Sequence, residues 1–291
     1  MTETAILMDR LAKKEGFNKT LIPGVGIFKA THYRLREPLC YQQGVIFVGQ
    51  GAKRVFVGDE TFEYNSNNYL VLSVPIPVEC ETYATEKEPL LALTADITIG
   101  MLNRIISQMD DYIDHAVLRK NEKHKGIFLT DATLPIKETL LRLLQALQSP
   151  LDSNVIGQGI VNELIFRIMC GENASSLYAL AMKNTNLSRI DKALKLIHSN
   201  YRQSIDVDSL AALANMSPSA FHRAFKDVTL SSPIQYLKKV RLGKARSLLM
   251  EQGSRVNEAA AEVGYESTAQ FSREFKRYFG NSPVECINVL R

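Results

Sequence analysis

The segments SPSAFHRAFK (217–226) and STAQFSREFK (267–276) lie fifty residues apart and carry Ser, Phe, Arg, Phe and Lys at equivalent positions. The same offset, without a gap, gives three further matches: Ala211 with Ala261, Ser232 with Ser282, and Pro233 with Pro283. Self-similarity at a fixed offset indicates an internal repeat of one supersecondary unit. We interpret the unit as helix, tight turn, helix, present twice between residues 207 and 287.

On a helical wheel, each segment divides into an apolar inner face and a polar outer face. The inner positions are Phe221, Ala224, Phe225 and Val228 in the first copy, and Phe271, Phe275 and Tyr278 in the second. The outer positions are Ser219, His222, Arg223 and Lys226, followed by Ala269, Ser272, Arg273 and Lys276. A solvated surface explains any one of these polar residues. A purely structural repeat, however, needs only the Phe pair, so the repeated Arg and Lys indicate a function for the outer face.

This outer face is typical of a helix that reads DNA. Side chains near the start of such a helix reach base edges, and later basic residues meet phosphates. Arg can form two hydrogen bonds with guanine, and small side chains can touch the thymine methyl group. For His222, contact with a base or phosphate and simple exposure remain equally open.

The charge distribution agrees with a polyanionic partner for the C-terminal part. The whole chain has a formal net charge of +4. Residues 188–291 contain 16 Lys and Arg against 10 Asp and Glu, whereas the rest contains 19 against 21. A net charge of +6 on the last third therefore adjoins a body of −2.

Helical periodicity and capping signals organise this last third. They predict six helices, with the longest joining the two repeat units: 188–200, 207–214, 217–228, 233–251, 256–263 and 267–279. Ser188, Asp206 and Ser217 are the predicted N-caps, and Gly264 and Gly280 are the predicted left-handed helix ends. The domain boundary is predicted within residues 184–188.

The N-terminal part begins with strand signals between residues 24 and 96. Short apolar or alternating runs are separated by turn residues such as Gly58-Asp59 and the cluster 65–68. They predict a small β-barrel or sandwich at about 20–96. Helices are then predicted at 97–111, 134–148, 155–170 and 174–183. The second has a stripe of Leu140, Leu141, Leu144 and Leu147 and is predicted to end at Pro150. The apolar helix faces could also form a dimer seam.

The sequence argues against an enzyme, a metalloprotein and a membrane protein. His32 is the only histidine in the barrel region, and the motifs GxSxG, GxGxxG and the P-loop are missing. We therefore predict no catalytic residues, no metal site and no cofactor. The N-terminus does not resemble a secretory signal, and the four cysteines are scattered, which favours reduced thiols in the cytoplasm.

A small barrel can enclose one small molecule, so the N-terminal part is a candidate effector site. The candidate residues are Cys40, Tyr33 and Arg34. If Cys40 lies in a loop, 37–40, near the barrel mouth, it could act as a reactive sensor; an inert buried thiol is the alternative. Arg34 could meet an acidic ligand or could simply be solvated.

The residues 207–287, with FxRxFK twice and the ending GYESTAQFSREFKRYFGNSPVE, resemble the DNA-binding domain of AraC/XylS-type transcription regulators. The stretch VIFVGQGAKRVFVGDETFEYNSNNYLVLSVPIPVECE resembles the cupin-like N-terminal domain of one subgroup. The resemblance implies an α+β protein of two domains. Residues 1–187 form the sensing and dimerisation domain, with a cupin-like β-barrel followed by helices. Residues 188–291 form an all-α domain with two helix-turn-helix units joined by a long helix.

The resemblance also implies which residues face DNA and which partners are bound. The base-facing candidates are Ser219, His222 and Arg223 in the first unit, and Thr268, Ala269, Ser272 and Arg273 in the second. Lys226 and Lys276 complete the predicted DNA surface. The expected partners are double-stranded promoter DNA, RNA polymerase, a small-molecule effector and a second copy of the chain, all in a bacterial cytoplasm. The C-terminal VECINVLR departs from the family pattern, so no phosphate contact is assigned there. A cupin-type enzyme and a protein-interaction scaffold are the competing classes.

Overall fold

The computed structural model describes residues 1–109, 112, 124–171 and 173–288. Helix α1 (Glu3–Leu11) precedes ten antiparallel strands. The strands are β1 (Gly16–Lys19), β2 (Val25–Ala30), β3 (Arg34–Tyr41), β4 (Gly44–Gln50), β5 (Ala52–Val57), β6 (Glu60–Tyr64), β7 (Asn68–Leu72), β8 (Ile76–Tyr83), β9 (Leu90–Asp96) and β10 (Ile127–Asp131).

These strands form two open sheets. One sheet has the order β1-β2-β9-β4-β7-β10, and the other has the order β3-β8-β5-β6. The predicted closed barrel is therefore not confirmed, because the ladders of the described strands do not join the two sheets. Strands β1 and β10 also lie outside the predicted span of 20–96. Buried side chains from both sheets contribute to one hydrophobic core.

Strand β3 corrects a second prediction, because residues 37–40 form part of this strand rather than a loop. Its sequence, RLREPLCY, is rich in charge and contains Pro38, so it reads poorly as a strand. Its position explains the discrepancy. It lies at the edge of its sheet, where a proline and charged side chains are tolerated.

The two predicted hairpin turns occur at the expected places, with different chemistry. Gly58 has φ +58° in the two-residue turn between β5 and β6, as its lack of a side chain permits. In the turn at 65–68, no asparagine has positive φ. Instead, the amide NH of Asn67 donates to Asn65 Oδ1 at 3.0 Å, and that of Asn65 donates to Asn68 Oδ1 at 2.9 Å. The amide side chains therefore close this turn.

Helices cover the six-stranded sheet and one another. They are α2 (Ile99–Met109), α3 (Leu134–Ala146), α4 (Gln158–Met169) and α5 (Ser175–Ala181). Helix α1 packs against β4, β9 and α3. The predicted leucine stripe is buried except for the partly buried Leu141, but Pro150 does not simply end the helix. It begins a short turn, Pro150–Asp152, that continues through a π-helical turn, Ser153–Gly157, into α4.

The C-terminal part is helical. Its elements are α6 (Asn186–Asn200), α7 (Val207–Leu213), α8 (Pro218–Thr229), α9 (Pro233–Glu251), α10 (Val256–Glu262), α11 (Thr268–Phe279) and α12 (Pro283–Asn288). The N-cap of α6 is Thr185, whose Oγ1 accepts from the Ser188 amide at 3.1 Å, so the prediction of Ser188 as the cap is wrong. The predicted boundary between 187 and 188 falls in the first turn of α6. Asp206 and Ser217 are N-caps as predicted.

The structural repeat has one more residue in its second turn than the sequence comparison assumed. Asn215 and Gly264 occupy the same left-handed position after α7 and α10, with φ of 52° and 83°. The capping serines of α8 and α11 follow two and three residues later. The pairing of Ala211 with Ala261 is therefore a coincidence. Ala211 is buried and Ala261 is exposed, and Ala260 is the buried counterpart.

Two hydrophobic clusters divide the C-terminal helices unequally. Phe221, Phe225 and Tyr236 belong to the same continuous core as the sheets of the N-terminal part. Phe271 and Phe275 belong to a smaller cluster made by α9, α10, α11 and α12. The first repeat unit is thus packed into the body of the protein, and the second has a core of its own.

Candidate functional site

The predicted recognition residues lie on the outer faces of α8 and α11. The side chains of Ser219, His222, Arg223, Lys226, Thr268, Ala269, Arg273 and Lys276 are exposed, and Ser272 is half-buried. The inner Phe pair of each helix is fully buried, with ring centroids 5.5 Å apart in α8 and 5.4 Å apart in α11. The helical wheel therefore predicted the orientation of both helices correctly. Tyr278, predicted to face inward, is half-buried beside Phe279.

Both helices are held at their ends by the same devices. The amide NH groups of Ala220 and Gln270 donate to the capping hydroxyls of Ser217 and Ser267 at 3.4 and 3.3 Å. At the other end, Leu230 and Gly280 adopt left-handed conformations with φ of 54° and 81°. Defined caps fix where the first exposed turn begins, and this is the turn that enters a DNA groove in such motifs.

The basic side chains of these faces are available to an external partner. Among the described residues, no hydrogen bond or ion pair engages the side chains of Arg223, Lys226, Arg273 or Lys276. Helix α11 carries one acid, Glu274, which is partly buried. Neighbouring side chains stabilise its charged carboxylate. Its burial opposes ionisation, but hydrogen bonds from Lys238 at 3.0 Å and Tyr265 at 2.9 Å outweigh this effect and lower the pKa of Glu274. Lys238 therefore offsets the charge that would otherwise repel a phosphate.

The C-terminal end of α8 abuts the N-terminal sheets. The amide NH of Gly126 donates to Val228 O at 2.9 Å. A Cβ atom on Gly58, at the tip of the β5–β6 hairpin, would lie 2.9 Å from Leu230 O. The hairpin and the segment before β10 thus touch the last turn of the first recognition helix, which links the position of α8 to that of the sheets.

The linking helix α9 crosses the edge of the other sheet, at β3 and β8. Arg246 Nη2 lies 3.2 Å from Glu37 Oε2, and its Nη1 donates to Pro38 O at 3.4 Å. The same guanidinium lies 5.2 Å from the ring centroid of Phe279, at the end of α11. One arginine therefore joins β3, α9 and the second recognition helix.

A buried hydrogen-bond chain joins the two parts a second time. The hydroxyl of Tyr236 donates to Pro75 O at 2.7 Å, so its oxygen accepts from Nε2 of His198 at 2.8 Å. Burial, with a contribution from the positive charge of Lys244, lowers the pKa of His198 from 6.5 to about 4. The imidazole is consequently neutral near pH 7.

The stability of the protein should decrease as the pH falls from 6.5 towards 4. Above pH 6.5 neither the folded nor the unfolded state binds a proton at His198, so the free energy of unfolding is not reduced by this residue. Below pH 6.5 the unfolded chain binds a proton that the folded chain binds only near pH 4. The loss approaches about 3 kcal/mol. His198→Gln should flatten this part of a curve of Tm against pH, whereas His222→Gln, at an exposed histidine, should leave it unchanged. Parallel curves for His198→Gln and the parent protein would contradict the assignment.

Of the three candidate effector residues, Cys40 lines a cavity in the described part of the chain. This cavity, here named the sheet cavity, has a volume of about 320 Å³ and lies between β2, β4 and β9 on one side and β3 and β5 on the other. Tyr33 is largely exposed and bonds to Glu81, and Arg34 pairs with Glu15 at 3.0 Å, so neither lines the cavity. Burial raises the pKa of the Cys40 thiol to about 11, which disfavours the nucleophilic thiolate. Its role as a reactive sensor stays a prediction.

Sequence reasoning missed the most unusual residue of the sheet cavity, Lys53. Its side chain is only 5% exposed, and its Nζ lies 4.6 Å from the ring centroid of Phe28. The strand pattern contained the signal, because Lys53, Val55 and Val57 alternate with outward residues along β5 and must share the inner face. Lysine is so rarely buried that its place on this face was not recognised as informative.

A second, polar cavity of about 440 Å³ lies between the two parts of the protein. Its walls include Gln43 from the N-terminal part, Asp191 and His198 from α6, and Lys244 from α9. Asp191 Oδ2 pairs with Lys195 at 2.6 Å, whereas its Oδ1 and the Nε2 of Gln43 are buried without a hydrogen-bond partner among the described residues. Cys40, Gln42 and Gln43 line both cavities.

Clusters of metal ligands and membrane-spanning helices are both absent from the described part of the chain. Within these residues, His, Cys, Asp and Glu side chains form no group of three or more that could hold a metal ion. None of the described helices combines the length and apolar character needed for a membrane span.

Comparisons with known proteins add sequence and fold relationships. Residues 21–176 match the protein family described as AraC-type transcriptional regulator N-terminus, and residues 210–288 match a helix-turn-helix domain. The Msm operon regulatory protein of Streptococcus mutans is 30% identical over 154 residues, which are 50% of this chain and 52% of that protein. The transcriptional activator RhaS of Klebsiella pneumoniae is 30% identical over 141 residues, 48% of this chain and 49% of that protein.

The matched region covers only part of these relatives, and the fold likeness is broader. The transcriptional regulator GbdR of Pseudomonas aeruginosa is 34% identical over 102 residues, 35% of this chain but 28% of that protein. The chain thus spans about half the length of the curated relatives it matches, or less. The crystal structure of unsaturated fatty acid bound ToxT from Vibrio cholerae aligns with 90% of this chain and 94% of its own, with a TM-score of 0.58 and 11% identity. This likeness is one of fold.

Proposed function

This chain belongs to the AraC family of transcription regulators, and from that premise we propose that it binds promoter DNA through two recognition helices, α8 and α11, in successive major grooves. Its relatives are regulators and not enzymes, as the sequence predicted. The observation that carries the proposal is the pair of capped helices whose basic outer faces have no partner within the described protein.

The two helices are proposed to read different bases. Ser219, His222 and Arg223 form the exposed first turns of α8, where α11 offers the smaller Thr268, Ala269 and Ser272 beside Arg273. Each arginine is suited to a guanine, and the methyl group of Ala269 to a thymine. Lys226 and Lys276, later on each helix, are assigned to phosphates. An operator with two unlike half-sites therefore follows from the side chains.

We further propose that the N-terminal part senses a small molecule in the sheet cavity. A volume of about 320 Å³ falls at the lower end of the range for small-ligand sites. The solved structure of ToxT with an unsaturated fatty acid supports ligand binding by a protein of this fold. Strand β5 leads from Lys53 to the hairpin that touches α8, and β3 leads from Cys40 to the contact with Arg246 on α9. A ligand that shifts either strand would thus move a recognition helix.

Self-association and contact with the transcription machinery complete the proposal. Leu151, Val155 and Ile156 project from the turn before α4 and are 71%, 72% and 50% exposed. An apolar group of this kind is suited to pairing with a second copy of the chain. Bound at a promoter in the cytoplasm, such a regulator would act on RNA polymerase.

Selection of bound sequences from a random DNA pool, with the full chain, tests the function. We expect two unlike motifs on one face of the duplex, with centres about one helical turn, or ~34 Å, apart. Affinity should fall steeply with salt, because several phosphates are neutralised. Recovery of no motif, with binding at low salt only, would mean that the protein is not a sequence-specific regulator.

A further inference from the structure

We propose, resting on the sensing function above, that the sheet cavity binds a small monocarboxylate with an apolar chain, and that Lys53 is the residue that recognises its carboxylate. The ligand would lie between the two sheets, with its charged end on β5 and its chain among the apolar side chains of β2, β4 and β9.

Lys53 is a buried cation without an ion-pair partner among the described residues. Glu37, on β3 of the same sheet, favours the charged ammonium from a distance, but it is itself paired with Arg34 at 3.9 Å and Arg246 at 3.2 Å. Asp96 also lines the cavity but makes no ion pair with Lys53. Burial is the main influence on the ammonium, and it lowers the pKa of Lys53. An ammonium group removed from water is costly unless an anion compensates it.

The hydrogen bonds of Lys53 leave room for such an anion. An ammonium group has three donors. In the described protein, Nζ donates to Tyr41 Oη at 3.2 Å, and a hydrogen bond to Cys80 also favours the ammonium, which leaves one donor. The Tyr41 hydroxyl is itself within 2.9 Å of Tyr64 Oη and 3.3 Å of Cys80 Sγ. This small polar network fixes the direction of the lysine. The face of Phe28, 4.6 Å from Nζ, stabilises the cation only in part.

The remaining walls define the rest of the ligand. The cavity has an apolar lining formed by Phe17, Phe28, Leu39, Val45 and Ile46. The exposed Phe17 forms part of its rim. One buried cation matches one negative charge, so a dianionic phosphate is poorly suited. The carboxylate of Asp96 on the same wall would repel a second acid group. These features select a chain with one carboxylate over a dicarboxylate, an alcohol or an amine of the same length.

Calorimetric titration of the full chain with four eight-carbon probes tests this selection. Sodium octanoate should bind, with at least about tenfold weaker binding of 1-octanol, octylamine and octanedioate. Lys53→Met should remove the preference for octanoate over octanol. Arg54→Met is the matched control, because Arg54 neighbours Lys53 on β5 but faces outward and pairs with Glu63. It should bind octanoate as the parent protein does.

The stability of the ligand-free variants gives an independent readout. Because Lys53 is buried without an ion pair among the described residues, Lys53→Met should leave the Tm unchanged or raise it. Octanoate should then raise the Tm of the parent protein but not that of the variant. A Tm lowered by Lys53→Met, or equal binding of octanoate and octanol by the parent protein, would overturn the proposal. A negative result in the DNA selection experiment would contradict the proposed role of α8 and α11, and it would not bear on the ligand of the sheet cavity. Lys53→Met should still bind the selected DNA specifically.

Discussion

Replacing Arg223 with alanine should remove about 1–3 kcal/mol of discrimination at one base pair of the operator, and Arg273→Ala should do the same at a base pair of the other half-site. Both guanidinium groups are exposed near the middle of a capped recognition helix and have no ion-pair partner among the described residues. A bidentate contact with guanine stabilises the complex with the correct base more than a complex with any other base. Each variant should therefore tolerate substitution of its own base pair and remain selective at the other half-site.

Competition binding with single-base variants of the selected DNA measures this loss. Lys226→Ala and Lys276→Ala should instead weaken binding to all sequences alike and reduce the dependence on salt, because phosphate contacts carry no sequence information. Arg104→Ala is the matched control for charge, since Arg104 is an exposed arginine on α2, away from the recognition helices. Discrimination that survives in both Arg223→Ala and Arg273→Ala would show that the outer faces of α8 and α11 do not read bases.

The recognition helices were predictable because the sequence states their geometry twice. The spacing of the Phe pair repeats the helical period, and the serine before each pair specifies the N-cap. The sequence comparison did not reveal that the turn between the two helices is one residue longer in the second unit. A coincidental alanine match masked the extra residue between Gly264 and Ser267, and only the left-handed backbone at Asn215 and Gly264 reveals the true register.

The sheet architecture and the contacts between the two parts were less predictable, for a physical reason. Strand β3 is held by pairing with β8 and not by its own propensity, so its charges and Pro38 gave no strand signal. The contact between Arg246 and Glu37 joins residues 209 positions apart. No local pattern encodes such a pair. The role of Lys53 likewise depends on which strands surround it, although alternation along β5 already places it on the inner face.

Replacing Phe275 with alanine should unfold the second repeat unit and leave the first folded. Phe275 is fully buried in the smaller cluster, whose fully or nearly fully buried members among the described residues are Leu242, Ala245, Leu249, Ala259, Ala260, Val263, Phe271, Phe275 and Cys286. Loss of a buried Phe side chain costs about 3–5 kcal/mol. Phe271 and Phe275 are the largest of these buried side chains, so losing one of them removes a large share of the apolar volume of the cluster.

Phe225→Ala is the matched variant, because Phe225 occupies the equivalent position in the first unit and is also fully buried. Its cluster, however, is continuous with the sheets, and its ring packs 5.5 Å from that of Tyr236, which bonds across to Pro75. The same loss of about 3–5 kcal/mol should therefore lower the stability of the N-terminal part as well. Phe225 and Phe275 are equivalent in the sequence repeat, but we expect the loss of Phe225 to destabilise a larger part of the protein.

Amide hydrogen exchange resolves the two outcomes by region. In Phe275→Ala, protection should fall in α10, α11 and α12 and in the second half of α9, while the sheets and α8 keep theirs. The variant should retain selectivity for the first half-site and lose it for the second. In Phe225→Ala, protection should fall in α8 and in the sheets together. Uniform loss of protection in Phe275→Ala, or intact reading of both half-sites, would mean that the two repeat units share one cooperative core.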